Sequence, residues 1–371
     1  MARLALVAAL VAAVAPSAVA LQIADVVTGY GLTESYTFAF PTQLLSGTEA
    51  DNFVLDKWSV NKAHGISFGQ EDISFVADPS APLGRRDADV GAPDLGERAD
   101  IRAAKNDTPV LRIEYPQGSY SAGTGGTQFY SEPLSATSNS QNILPNTTSN
   151  GQFERMLFAY DIYFDPSFVF NKGGKLPGLR GGPDAIGCSG GHQANQFKCF
   201  SSRLMWRDGA LGELYAYIPT KLKDFCSRLG VTCNSDYGTS LGRGRYSFAT
   251  GKWQTVWLFV ALNAEGIANG VMTMYNNGNK VIEFTNLEIR SSSTIESIGG
   301  VYFSTFFGGY DPSWASPKQQ FAYFRNMQLY AGLGAANGTG ESISAATSTQ
   351  PSYITLAVVA CVAVALAGVM L

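Results

Sequence analysis

The chain has 371 residues, 26 basic and 30 acidic side chains, a net charge of −4 and only 15% charged residues. With no dense basic stretch, this composition excludes a nucleic-acid-binding surface of the ordinary electrostatic kind. Its 40 glycines and 12% aromatic residues suit one β-rich domain rather than a disordered or coiled-coil chain.

The first 20 residues carry Arg3, an apolar Leu/Ala/Val run and a small-residue ending at Ala18-Val19-Ala20, the pattern of a secretory signal peptide. A single domain is expected over residues 21–335. Within it, 78–107 is rich in Asp, Arg, Ala and Pro with little apolar periodicity, which predicts an exposed loop insertion. Arg85-Arg86 there reads as an ordinary charged pair rather than a processing site. Runs at 110–115, 156–164, 253–262, 271–275, 280–284, 301–307 and 321–330 have strand-like composition and are separated by Gly, Pro and Asn clusters. Asn276-Asn277-Gly278 marks a hairpin tip. No strand–helix alternation occurs and amphipathic helices are almost absent, so the fold class is all-β, an antiparallel sandwich or jelly roll.

Five cysteines are present, Cys361 in the tail and Cys188, Cys199, Cys226 and Cys233 in the domain, an even set that fits an oxidising compartment. Three connectivities are open, of which the local pairs Cys188 with Cys199 and Cys226 with Cys233 are favoured. Zinc ligation is rejected, because the spacing is irregular and no His lies near enough to complete a ligand set. Sequons at Asn106, Asn146 and Asn337 offer N-glycosylation sites.

The positive charge that an anionic ligand needs is concentrated between 171 and 219. Alternation over 199–207 puts Phe200, Ser202, Leu204 and Trp206 on a core face and Ser201, Arg203, Met205 and Arg207 on the other. In the next strand Leu214, Ala216 and Ile218 are apolar, leaving Glu213, Tyr215 and Tyr217 opposite. The connection through Asp208-Gly209-Ala210-Leu211-Gly212 is a hairpin candidate that brings both apolar sets to the core only if the loop has an odd number of residues, three or five. Arg203, Ser201, Tyr215 and Tyr217 then share one exposed sheet surface. Upstream, Gly173-Gly174-Lys175-Leu176-Pro177-Gly178 reads as a glycine-rich loop bearing Lys175, without the spacing of a phosphate-binding loop. His192 follows a Gly-Gly pair and is a candidate cleft-lining residue, whereas His64 has no catalytic neighbour in sequence.

Downstream, 336–353 is a Ser/Thr-rich spacer with small residues around 337–340, and 354–371 is apolar with no basic residue behind it. This is the pattern of a glycosylphosphatidylinositol attachment signal, with a plain membrane anchor as the alternative. Either implies a secreted, extracellular domain tethered at the plasma membrane or cell wall.

The Lys-Leu-Pro-Gly segment, the Ser-x-Arg strand and the Tyr-x-Tyr strand, in this order and spacing, resemble polysaccharide lyase family 14, a family of alginate and glucuronan lyases with many fungal secreted members. The resemblance covers roughly residues 110–330. It implies a β-jelly roll with a concave substrate-binding sheet, and a site at Lys175, Ser201, Arg203, Tyr215 and Tyr217. The chemistry it implies is β-elimination of a polyuronate. The C5 proton beside a carboxylate is weakly acidic, so Arg203 and Lys175 would bind that carboxylate or the developing enediolate. Tyr215 is expected to be the main proton-transfer residue, its phenolate favoured by two cations, with Tyr217 sharing the role and Lys175 the competing base. Ser201 and His192 would contact the sugar.

The expected partner is an anionic polysaccharide, with no cofactor, metal or nucleic acid, with membrane contact only through the C-terminal anchor, and with the chain acting as a monomer. The alternative is a noncatalytic carbohydrate-binding surface protein of the same fold. A glycoside hydrolase ranks lower, since it needs two carboxylic acids and the two strands offer only Glu213.

Overall fold

The computed structural model describes residues 20–81, 108–134, 152–182, 188–194, 198–291 and 295–343. Nearly all of the expected leader, Arg85-Arg86, Asn106, Asn146, Cys361 and the apolar run at 354–371 lie outside the described residues.

Helix α1 (Ile23–Gly29) leads to strands β1 (Glu34–Thr37) and β2 (Leu45–Ser46), helix α2 (Thr48–Lys57), β3 (Ile66–Phe68) and β4 (Ile73–Val76). β5 (Val110–Tyr115), β6 (Thr127–Ser131), β7 (Arg155–Phe164), β8 (Gly173–Gly181), β9 (Phe200–Arg207) and β10 (Leu211–Tyr217) follow. Then come β11 (Val231–Thr232), β12 (Thr239–Ser247), β13 (Trp253–Ala261), β14 (Ile267–Ala268), β15 (Gly270–Asn276) and β16 (Asn279–Leu287). β17 (Ile298–Phe307), β18 (Gln320–Gly332) and β19 (Glu341–Ser342) end the described chain.

The strands form two large antiparallel sheets. One has the order β16-β15-β13-β7-β18-β5-β4-β2, with β1 also paired to β18; the other runs β11-β12-β10-β9-β8-β17-β6-β3. This is the all-β jelly-roll sandwich expected. Its core lies between the sheets and is strongly aromatic: Phe129 stacks on Phe303 at 4.7 Å, and Trp58, Phe75, Trp206 and Phe307 fill the space around them. Each such side chain contributes about 1.5–3 kcal/mol on burial.

β13 shows why some runs are apolar on both faces. Val256, Leu258 and Val260 enter the core, while Trp257, Phe259 and Ala261 form an outer cluster with Val26 of α1 and with Ala336. Tyr30, just after α1, stacks on Phe259 at 3.6 Å. Asn269 donates to the carbonyls of Ala336 and Gly338, and β19 pairs with β14, so packed chain continues past residue 335 into the start of the expected spacer. The Asn277-Gly278 tip joins β15 to β16 with both residues at positive φ (50° and 74°), as a two-residue primed turn requires.

Candidate active site

The site is built on the face of the eight-stranded sheet that turns away from the core. β9 and β10 are joined by three residues, Asp208, Gly209 and Ala210, so the odd loop required by the alternation is what forms. Register pairs Tyr215 with Arg203, Tyr217 with Ser201 and Glu213 with Met205, all on one face, while Leu204, Trp206, Leu214 and Ala216 lie in the core.

Lys175 reaches the same face from a strand, not from the expected glycine-rich loop. β8 is a central strand in which Lys175 pairs with Met205 and Leu176 with Leu204; a register shift between Leu176 and Leu179 then takes up Pro177 and Gly178. Proline in a central strand is tolerated at such a bulge, where a ladder bond is already missing. Gly174 is demanded by packing, since a Cβ there would lie 2.0 Å from the Trp206 ring.

Lys175 Nζ stands 3.4 Å from the centroid of the Tyr215 ring and donates to Met205 Sδ at 2.8 Å. Arg203 Nη1 donates to Ser304 Oγ at 3.1 Å, and its guanidinium lies 4.4 Å from the centroid of the Tyr302 ring. Its Nε is buried with no hydrogen-bond partner among the described residues. Among the described residues neither Lys175 nor Arg203 forms an ion pair. Two cations of the site thus lie without a carboxylate to neutralise them.

The shared surface is not exposed as expected. Ser201, Arg203, Tyr215 and Tyr217 are buried, because two segments lie over this end of the sheet. Ser201 Oγ donates to the Cys188 carbonyl (2.6 Å), Gly191 N–H donates to Tyr217 Oη (3.3 Å) and Gly238 N–H donates to Tyr215 Oη (3.0 Å). Gln193 ties the two covers together by donating to the carbonyls of Ser235 and Tyr237. Each cover is flanked by one of the favoured disulfides, Cys188–Cys199 and Cys226–Cys233, both of which form. His192 sits on the first cover and is exposed. The phenols are therefore buried in a small cluster of their own with Met205 and the Cys188–Cys199 bridge, on the far side of the sheet from the main core.

This enclosure reverses one expected titration. Burial, then the neighbouring Tyr217, push the Tyr215 phenol up, and Arg203 and the Gly238 N–H only partly oppose this. Tyr215 is thereby kept protonated, against the expectation that nearby cations would favour its phenolate. Lys175 moves the other way: burial, then the like charges of Arg203 and Arg207, take its ammonium well below the ordinary lysine value, with Glu213 pulling against them. The pair thus consists of a base that sheds its proton readily and an acid that holds one.

Several groups were missed from the candidate site. β17 presents Tyr302 and Ser304 beside Arg203, and both hydroxyls donate to Gln128 Oε1 of β6, at 3.0 and 3.1 Å. The alternation of the run at 301–307 carried that signal, because Tyr302 and Ser304 interleave with core-facing Val301 and Phe303. Glu213, the one acid noted on these strands, is fully buried and bonded to Arg207, Arg243 and Ser240, so it is not the free partner of a hydrolase pair. Among the described residues no group of three or more His, Cys, Asp or Glu is placed to hold a metal.

A sequence model of the family described as Polysaccharide lyase 14 matches residues 103–327. The chain is similar to the PL-14 alginate lyase from Aplysia kurodai at 37% identity and TM-score 0.52, over 61% of this chain and 84% of that one. It is similar in fold to alginate lyase Aly36B, at 15% identity and TM-score 0.54, over 82% and 100% of the two chains. Alginate lyase vAL-1 from Chlorella virus aligns at 23% identity and TM-score 0.48, over 60% and 85%. No curated protein matches the chain.

Proposed function

The chain belongs to the polysaccharide lyase 14 family, and from that premise we propose that it cleaves a polyuronate of the alginate or glucuronan type by β-elimination at the face bearing Lys175, Arg203 and Tyr215. One observation carries the reading: two basic groups that form no ion pair among the described residues flank a phenol, and burial drives the lysine and the phenol to opposite proton affinities. Arg203, its charge uncompensated, binds the carboxylate beside C5 and steadies the negative charge that develops there. Neutral Lys175 removes the C5 proton. The electron pair forms the C4–C5 double bond as the C4–O bond breaks, and protonated Tyr215 gives its proton to the departing oxygen. Lys175 then carries an extra proton and Tyr215 lacks one. Release of one proton from Lys175 to solvent and uptake of one by Tyr215 after the product leaves reset the site. Tyr217, accepting from the Gly191 N–H, and Ser201, donating to the Cys188 carbonyl, hold this geometry.

The same proposal has the enzyme acting outside the cell, which the two disulfides support. Tethering would come through the apolar run at 354–371, and Asn337 is exposed as a glycan acceptor must be.

The test is a panel of alginate blocks, glucuronan and a neutral glucan, read by ultraviolet absorbance of the unsaturated product. Product is expected from polyuronate alone, and Lys175→Ala and Tyr215→Phe should each lower kcat by about 10²–10⁴-fold. Polyuronate that binds without product would leave a carbohydrate-binding protein instead.

A further inference from the structure

β12 departs from regular pairing beside the site. Register with β10 runs from Gly212 opposite Tyr246 to Leu214 opposite Leu241, so β12 spends four residues, Gly242-Arg243-Gly244-Arg245, against the single residue Glu213. Gly242 and Gly244 both have positive φ (69° and 77°), a conformation open to glycine and strained for other residues. The bulge turns the Arg243 side chain onto the site face, where Nε donates to Glu213 Oε2 at 2.6 Å. Glu213 also accepts from Arg207 Nε and Nη2 (2.9 and 2.5 Å) and from Ser240 Oγ (2.6 Å).

This carboxylate is fully buried and wholly occupied, so it serves as an anchor. It fixes two guanidiniums while cancelling only one of their charges. Arg243 uses Nε alone in that bond, its Nη groups have no hydrogen-bond partner among the described residues, and its side chain is 44% exposed. The anchor lies in line with the catalytic row: Glu213 pairs with Met205 and Met205 with Lys175. Neighbouring strands are about 4.8 Å apart, which puts Glu213 two strands and roughly 10 Å from Lys175. Arg207 borders the catalytic phenol itself, 5.9 Å from the centroid of the Tyr215 ring.

We propose that Arg243, with Arg207, forms a carboxylate subsite for a uronate adjacent to the one cleaved, and that Arg243 thereby sets the preference for polyanionic chains long enough to span both positions. The proposal rests on the lyase reading above. A guanidinium with two free donors in a fixed plane suits bidentate capture of a carboxylate. The end of the site at Ser201 and Tyr217 is closed by the covers, whereas Arg243 stands at an open end. Because Arg243 is held away from the reacting atoms, its contact is made equally in the ground and transition states, and it lowers KM without changing kcat.

The experiment compares wild type, Arg243→Ala and Arg243→Lys on polymeric polyuronate and on a series of its shortest cleaved oligomers. Arg243→Ala should raise KM on polymer about tenfold with kcat unchanged, lose most of that effect on the shortest oligomer, and show a weaker dependence of KM on salt than wild type. Arg243→Lys should recover part of the affinity. An active wild type whose KM is unmoved by Arg243→Ala, or moved equally at every length, overturns the subsite. A wild type inactive on every polyuronate overturns the lyase reading instead. Arg243 as a merely structural counter-charge to Glu213 predicts a lower Tm with no length-dependent KM, which also overturns the proposal.

Discussion

Glu213 and Asp72 are both buried carboxylates, and their surroundings drive them in opposite directions. Burial works against the charge of Glu213, but Arg207, Ser240 and Arg243 overcome it and hold the carboxyl below the usual range. Asp72 sits in the turn before β4 with no ion pair among the described residues, and its Oδ2 has no hydrogen-bond partner. Burial, then the negative charges of Glu71 and Glu114, raise it to about 7, with only a Gly126 backbone bond opposing. Burial sets the cost of a charge, and partners decide whether the charge stays. Lys175 is the cationic counterpart of Asp72. Lacking an acid partner, it yields its proton, and at the site that loss is what equips it as a base.

The largest effect should come from breaking the well-partnered member. Glu213→Ala leaves Arg207 facing Arg243 with no carboxylate between them, and loss of one partner of a buried ion pair costs about 3–5 kcal/mol. Urea unfolding should show that drop in midpoint; a loss below about 1 kcal/mol would mean that the network contributes little. A smaller change sharpens the comparison with Lys175. Glu213→Gln keeps the shape and removes the negative charge that opposes Arg203 and Arg207. Lys175 should then lose its proton at still lower pH, and the rising limb of kcat against pH should move down by on the order of one unit or less. A limb that stays fixed or moves up would remove Lys175 as the titrating base.

How much of this was legible in the sequence depended on where the controlling contacts lie. The pairing of β9 with β10, the odd number of residues in its loop and the common face of Ser201, Arg203, Glu213, Tyr215 and Tyr217 followed from alternation alone, because register is a local property. β8 was misread because Gly173, Gly174, Pro177 and Gly178 carry the composition of a loop. They are kept in a strand by the Trp206 ring and by a bulge, neither of which leaves a mark in that segment. The direction of the Tyr215 shift was missed for a different reason. Charges can be counted in a sequence, but the covers come from 188–194 and 234–238, and only the fold brings them over the phenol. Arg243 was missed likewise, since its place beside the site depends on the register of Gly242-Arg243-Gly244-Arg245 against Glu213, which only the fold sets.

The smallest expected effect lies at the poorly partnered member and can be read without activity. The folded-state value of Asp72 is raised to about 7 from an ordinary 3.8. Between these values the native state holds a proton that the unfolded chain has released. Stability tied to Asp72 is therefore present in full below about pH 4 and is lost progressively as pH rises through about 7, after which it levels off. Asp72→Asn removes the ionisation while keeping the shape. The variant should match wild type near pH 4 and exceed it at pH 8 by on the order of 1 kcal/mol or more, which is at least about 2–4 °C in Tm for a domain of this size. Thermal unfolding of both proteins across that range decides the point. Equal slopes for the two would show that Asp72 gains a counter-charge or solvent in solution, and it would then resemble Glu213 rather than contrast with it.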